Sequence, residues 1–337
     1  MKTKVLKPTD ENFIFCANLL KSSKIVAVPT ETVYGLAANA FDYLGVEKIF
    51  KAKGRPQNNP LICHINSMKM FYNLTNENSE LLNKLLKAFW PGPLTVIVRK
   101  NVDIPSNLTA NLNTIGIRFS SNKILNKLIE VCGFPLAAPS ANLSKKPSAT
   151  NTNHVLNDFN GKIPAILDGG NCEVGIESTI VKIEKNKCVV LRPGFVTVSM
   201  LKNIVKNVQL DEGVLKKPNS QKIAVCPGVN YLHYSPNAEI IVVKGSFLSF
   251  YKYVSSKLNC KTWCAVFDKE KHYFKKYVLT YGENASYQAK NLFLILRKID
   301  DLNLKRVFFR SPTENGIGLA VYNRLIRAAN FKIVNLN

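Results

Sequence analysis

The chain has 337 residues, 46% hydrophobic and 20% charged, which suits one large domain or two ordinary ones with packed cores and excludes global disorder. Its 46 Lys and Arg against 23 Asp and Glu leave a formal net charge of +23, shared evenly as +12 over residues 1–210 and +11 over 211–337. The excess is mostly Lys (37, beside 37 Asn and 9 Arg), so AT-rich coding explains it better than a polyanion-binding surface does. In chain order, Ile25–Val28 is a short buried strand. Val46, Ile49, Phe50 and Lys53 fall at i, i+3, i+4 and i+7 and predict a helix ended by Gly54. Leu81, Leu82, Leu85, Leu86 and Phe89 predict a second, capped by Ser79 and stopped before Pro91. Leu94–Val98 and Ile115–Phe119 are expected strands, followed by a helix through Ile124, Leu125, Leu128 and Ile129 that Gly133 closes. Further strands are expected at Ile163–Leu167, Thr179–Ile183 and Cys188–Leu191, the last two joined by a polar turn.

Residues 209–236 are polar and punctuated, as in Lys216-Lys217-Pro218-Asn219-Ser220, and are expected to be a linker. Beyond it, strands at Glu239–Val243, Thr262–Phe267 and Arg306–Phe309 alternate with helices near 246–258, 286–299 and 316–329, which implies a parallel sheet. The expected division is therefore 1–208, 209–236 and 237–337.

Several function classes are missing their signatures. No apolar run reaches the roughly 18 residues of a membrane helix, and Met1–Pro8 lacks the apolar core of a secretory signal. A cytoplasmic chain with reduced cysteines is expected; Cys260-x-x-x-Cys264 has no partner cluster, so structural zinc is not. There is no G-x-x-x-x-G-K-[ST] loop, no H-E-x-x-H and no G-x-S-x-G elbow. Gly316-Ile317-Gly318 is followed by Val321 where a dinucleotide fingerprint needs glycine, and reads as helix punctuation.

Polar segments interrupt the apolar strands at Pro29–Leu36, Lys53-Gly54-Arg55-Pro56, Trp90–Thr95, Pro139–Asn142 and Glu177-Ser178-Thr179. Strand ends are where α/β sheets gather ligands, although turn chemistry accounts for each segment taken alone. In Thr114–Phe119, residues 115, 117 and 119 share an apolar face, while Thr114, Gly116 and Arg118 present a hydroxyl, a gap and a guanidinium on the other. That face suits an anionic ligand or is simply an exposed sheet surface. His64 alternates similarly with Cys63 and Ile65.

Together with Asn59-Pro60-Leu61-Ile62, Gly175-x-Glu177-Ser178-Thr179 and Leu191-Arg192-Pro193-Gly194, these segments, in this order, resemble the threonylcarbamoyl-AMP synthase family. Cys226–Pro236 resembles the linker motif of its two-domain form, and Gly318–Arg324 the end of the second domain. The resemblance implies an α/β fold: a YrdC-like twisted mixed sheet with flanking helices, plus a smaller Rossmann-like domain. It also implies a nucleotidyltransferase that makes L-threonylcarbamoyl-AMP from L-threonine, bicarbonate and ATP, releasing pyrophosphate, for t6A at position 37 of tRNAs reading ANN codons.

Carried over by position, Lys53, Arg55, Ser140 and Asn142 match the catalytic tetrad around the nucleotide phosphates. Thr32, His64, Arg118, the backbone of Ala138, and Ser178 match the threonine site. Arg55, Asn59, Thr114, Ser140, Ser148, Arg192 and Tyr231 match the ATP contacts, with Tyr231 on a linker that serves as a lid. Mg²⁺ is expected through the ATP phosphates and not on a protein metal site. A downstream threonylcarbamoyl transferase complex is the expected partner, with at most a weak tRNA contact and no membrane. Ser120, where the family commonly has Pro, and Lys145, where Gly often follows Ser144, depart from the pattern without removing a polar ligand. The alternatives are a non-catalytic tRNA- or double-stranded-RNA-binding module, and a carbamoyl-adenylate enzyme of hydrogenase maturation, whose usual Cys clusters and acylphosphatase region are not visible.

Overall fold

The computed structural model describes residues 2–217 and 234–336. These form two compact units, one of residues 2–144, 148–173 and 177–217, the other of 145–147, 174–176 and 234–336. The first is built on strands β1 (Lys4–Leu6), β2 (Val26–Val28), β3 (Gly35–Asn39), β4 (Ile62–Ile65), β5 (Leu94–Arg99) and β6 (Thr114–Phe119). They are followed by β7 (Leu136–Ala137), β8 (Ala165–Leu167), β9 (Thr179–Glu184), β10 (Lys187–Arg192) and β11 (Val208–Leu210). All eleven join one sheet in the order β1-β8-β2-β3-β7-β4-β6-β5-β9-β10-β11. It is mixed: β4 runs parallel to β6 and β5 parallel to β9, whereas β5–β6 and β3–β7 are antiparallel.

Local signals explain the helices. Ser79 caps Glu80–Phe89 by accepting from the Leu82 amide, and Gly54 and Gly133 close Tyr43–Lys53 and Lys123–Cys132 in the left-handed region. Helix Asp10–Lys21 lies outside the sequence expectations, although Phe13, Cys16, Ala17 and Leu20 keep helical spacing and Thr9 caps it. Strand alternation sends side chains to two apolar clusters: Val26 and Val28 pack with the helices Asp10–Lys21 and Lys123–Cys132, while Ala27 faces the larger core. The expected boundary at residue 208 falls within β11, which pairs with β10. Of the expected linker, residues 218–233 lie outside the described residues.

The second unit carries β12 (Glu239–Lys244), β13 (Thr262–Val266), β14 (Val278–Thr280), β15 (Arg306–Arg310) and β16 (Ile333–Asn335). Every pairing is parallel, as the strand–helix alternation predicts, in the order β14-β13-β15-β12-β16. It is Rossmann-like in that alternation, with the first and fourth strands exchanged relative to the doubly wound order. Gly316 and Gly318 open the helix Gly316–Ala328, and Gly318 is required there because a Cβ would lie 2.2 Å from Thr313 Oγ1.

Candidate active site

One face of the first sheet separates the large core from a polar row. Cys63, Ile65, Leu94, Val96, Val98, Ile115 and Ile117 point into the core, so their neighbours in β4, β5 and β6 point the opposite way. Register aligns those neighbours across the strands. His64 stands opposite Arg118, and Arg118 opposite Thr95. Two residues away, Ile62, Gly116 and Ile97 form the adjacent row. The gap expected at Gly116 is therefore filled: a Cβ there would lie 3.2 Å from Ile97 Cδ1, and Ile62, Ile97 and Ile180 make a small cluster. Nor is this an exposed sheet surface, because His64, Thr95 and Arg118 are all buried.

Arg118 is the electrostatic centre of the row. Its Nη1 donates to Thr32 Oγ1 at 2.8 Å, and Nη2 lies 2.8 Å from Glu31 Oε2. Its Nε is buried without a hydrogen-bond partner among the described residues. Burial would raise the Glu31 pKa, but the Arg118 charge and hydrogen bonds from Arg118 and Ser120 hold it below the usual carboxylate range. Burial first, and the adjacent Arg118 second, lower the His64 pKa to about 3, so the imidazole is neutral. The backbone of Ala138 hydrogen-bonds that ring, while His64 Nδ1 has no partner among the described residues. Ser178 enters from the start of β9: its hydroxyl is 2.8 Å from Thr95 Oγ1 and accepts from Arg192 Nη2 at 3.1 Å. Thr32, His64, Arg118, Ala138 and Ser178 are thus brought to one locality, joined by Arg192 from the expected ATP contacts.

A second group forms where the turn after β7 meets the end of helix Tyr43–Lys53. Leu36 N donates to Pro139 O and Ala141 N to Tyr34 O, which laces that turn to the approach of β3. Lys53, buried in the last helical turn, donates through Nζ to the carbonyls of Ser140 and Asn142, and Ser140 Oγ donates to Asn142 Oδ1. Arg55 is half-buried and donates to the Asn59 and Pro60 carbonyls at 3.2 and 2.9 Å. Asn59 Oδ1 is buried and has no partner among the described residues. Ser148 donates to Glu177 Oε1 at 2.6 Å. Thr114 sits four residues before Arg118 in β6, about 13 Å along the strand, away from the row. Tyr231 lies outside the described residues.

Residues 18–194 match the family model described as telomere recombination, and residues 196–330 match that of the threonylcarbamoyl-AMP synthase C-terminal domain. The threonylcarbamoyl-AMP synthase of Pyrococcus abyssi is 38% identical over 330 residues, covering 95% of this chain and 94% of that protein. The chain belongs to the threonylcarbamoyl-AMP synthase family. The Bacillus subtilis threonylcarbamoyl-AMP synthase is 37% identical, covering 98% of this chain and 97% of that one. The crystal structure of P. abyssi Sua5 complexed with L-threonine superposes with a TM-score of 0.93 at 36% identity, over 100% of both chains.

Two residues of this synthase-family site had no role assigned from sequence. Glu31 lies in a segment that reads as a polar loop, and nothing local reveals that it meets Arg118, 87 positions on. Thr95 could have been found from alternation, since it is the hydroxyl facing away from the core in Leu94–Arg99. Among the described residues, no group of three or more His, Cys, Asp or Glu could hold a metal ion. The donors around Ser140 and Asn142 are neutral oxygens beside a Lys cation, which does not suit a protein-held Mg²⁺. No helix among the described residues is long and apolar enough to cross a membrane.

Proposed function

We propose that this chain makes L-threonylcarbamoyl-AMP from L-threonine, bicarbonate and ATP, releasing pyrophosphate, for t6A at position 37 of tRNAs that read ANN codons. The observation that carries the reading is the buried Arg118 guanidinium, with an unpartnered Nε–H, beside a neutral imidazole and the hydroxyls of Thr32, Thr95 and Ser178. A buried unsatisfied guanidinium N–H calls for an anionic acceptor, and an amino-acid carboxylate is one. The Pyrococcus and Bacillus relatives that support the reading bear the name of this enzyme over nearly the whole chain.

The chemistry needs no protein nucleophile. The threonine amine adds to the bicarbonate carbon, water leaves, and a carbamate forms. A carbamate oxygen then attacks the ATP α-phosphorus as pyrophosphate departs. Arg118 holds the carboxylate so that the amine faces the incoming carbon. His64, its pKa lowered to about 3 by burial and Arg118, offers a neutral imidazole whose proposed part is orientation. Lys53 fixes the Ser140–Asn142 turn through two carbonyls and brings a positive charge beside the proposed phosphate path. Arg55, Asn59, Thr114, Ser148 and Arg192 are proposed ATP contacts, and Tyr231 one on the strength of the linker motif alone. Mg²⁺ is proposed to arrive on the nucleotide phosphates. A cytoplasmic location and transfer of the product to a threonylcarbamoyl transferase complex complete the proposal.

Purified protein given ATP, Mg²⁺, bicarbonate and L-threonine should release pyrophosphate in a manner that depends on both small substrates. Release independent of threonine and bicarbonate, or none, overturns the reading.

A further inference from the structure

Glu31 has no part in the chemistry above, yet it is one of the most buried carboxylates of the first unit, its side chain 4% exposed. Burying a carboxylate is unfavourable unless charge and hydrogen bonds compensate it, and here they converge from two directions. Oε2 meets Arg118 Nη2 at 2.8 Å and accepts from the Ser120 hydroxyl, while Oε1 accepts from the Ser121 amide at 3.3 Å. The neighbouring Thr32 takes Arg118 Nη1 at 2.8 Å, and Thr30 Oγ1, 2.8 Å from Thr32 Oγ1, accepts from the Thr32 amide. Adjacent residues of one β2–β3 connection therefore hold both terminal nitrogens of a planar, rigid group. With Nη1 hydrogen-bonded to Thr32 and Nη2 ion-paired with Glu31, the plane of the guanidinium is set, and with it the direction of Nε, which has neither kind of partner among the described residues.

We infer that Glu31 is a positioning residue for the threonine carboxylate, acting through Arg118. The inference rests on the proposed threonine role of Arg118. Glu31 supplies the counter-charge that keeps the guanidinium buried and oriented before substrate arrives, so binding does not have to organise it. Ser120 contributes by donating to the same Oε2 that meets Arg118, its own hydroxyl accepting from the Asn122 amide at 3.2 Å.

Because Glu31 also touches the segment that starts helix Lys123–Cys132, a purely structural role must be separated from positioning. Threonine affinity by calorimetry and KM for threonine and for ATP would be measured on wild type, Glu31→Gln, Glu31→Asp, Ser120→Ala, Arg118→Ala and the double variant Glu31→Gln/Arg118→Ala. Losing a charged hydrogen-bond partner of Arg118 should weaken threonine binding about ten- to hundredfold in Glu31→Gln. KM for ATP should stay near wild type, Glu31→Asp should recover part of the loss, and Ser120→Ala should show a smaller one. In the Arg118→Ala background, Glu31→Gln should have no further effect on threonine. Wild-type threonine affinity in Glu31→Gln, tighter binding there, or a parallel loss for both substrates each overturns the inference while leaving the role of Arg118 standing. If Glu31→Gln does not fold, Glu31→Asp and Ser120→Ala decide by the same comparison. A wild-type protein that does not bind threonine, or an Arg118→Ala variant that binds it normally, overturns the underlying reading.

Discussion

Arg118 and His64 lie side by side across β4 and β6, and each makes a separate prediction. Arg118→Ala removes the proposed carboxylate contact and strands Glu31 in a buried position without its counter-charge. Breaking one side of such a pair costs about 3–5 kcal/mol. Calorimetry should therefore show threonine affinity lost, and denaturant titration at neutral pH should show lower stability. His64 acts through pH. The unfolded imidazole titrates near 6.5 and the folded one near 3, so below pH 6.5 the unfolded chain takes up a proton that the folded chain refuses. Stability should fall by about 1.4 kcal/mol per pH unit on that account, down to the folded value. Comparing wild type with His64→Gln between pH 6 and 5 checks this: the wild type should carry the steeper slope. Glu31, with its lowered value, adds loss in the same direction only below its ordinary value of 4.5. At this scale Arg118, His64 and Thr32, which motif position marks as candidates, do come together in the fold. Glu31 was not legible in the sequence, because its meaning is a contact made across 87 positions.

Helix ends read well from sequence because each signal is local. Ser79, Gly54 and Gly133 all stand at the caps that their residue types predict. Gly133 has φ of +77° with nothing within 4 Å of an added Cβ, so Gly133→Ala carries only backbone strain. It should cost about 1 kcal/mol in a denaturant titration and leave pyrophosphate release unchanged. Gly194 is the contrast. A Cβ there would meet Thr179 N at 2.4 Å and the Ser178 carbonyl carbon at 2.8 Å. Gly194→Ala should push the start of β9 and with it the Ser178–Arg192 pairing, lowering both stability and turnover in the same two assays. Helix Asp10–Lys21 was missed in spite of its cap and helical spacing, whereas the other missed elements named here lack local signals. β7 has two residues and β14 and β16 three each, too short for a period to show. β3 hides in Gly35–Asn39, whose glycine, alanines and asparagine have weak strand propensity; it forms because it pairs with both β2 and β7.

For the whole molecule, the first unit has its own apolar clusters on both faces of the sheet, so a fragment of residues 2–217 should fold cooperatively. A fragment ending at residue 207 loses β11 and exposes the edge of β10 along Cys188–Val190, and should melt at a lower temperature by circular dichroism. The +23 charge, the most conspicuous feature of composition, says little about the site. Lys53, Arg118 and Arg192 are buried, where they serve hydrogen bonds within the fold and not a surface that tracks an RNA backbone. The sequence by itself determined the family, the α/β class, the ends of several helices and most of the residues that assemble, since these rest on local spacing, capping and motif order. Only the tertiary structure decided which of them meet. The row His64–Arg118–Thr95, the filled space at Gly116 and the Glu31–Arg118 pair depend on strand order and register. Register is set by burial of the whole sheet, a property that no stretch of residues carries alone.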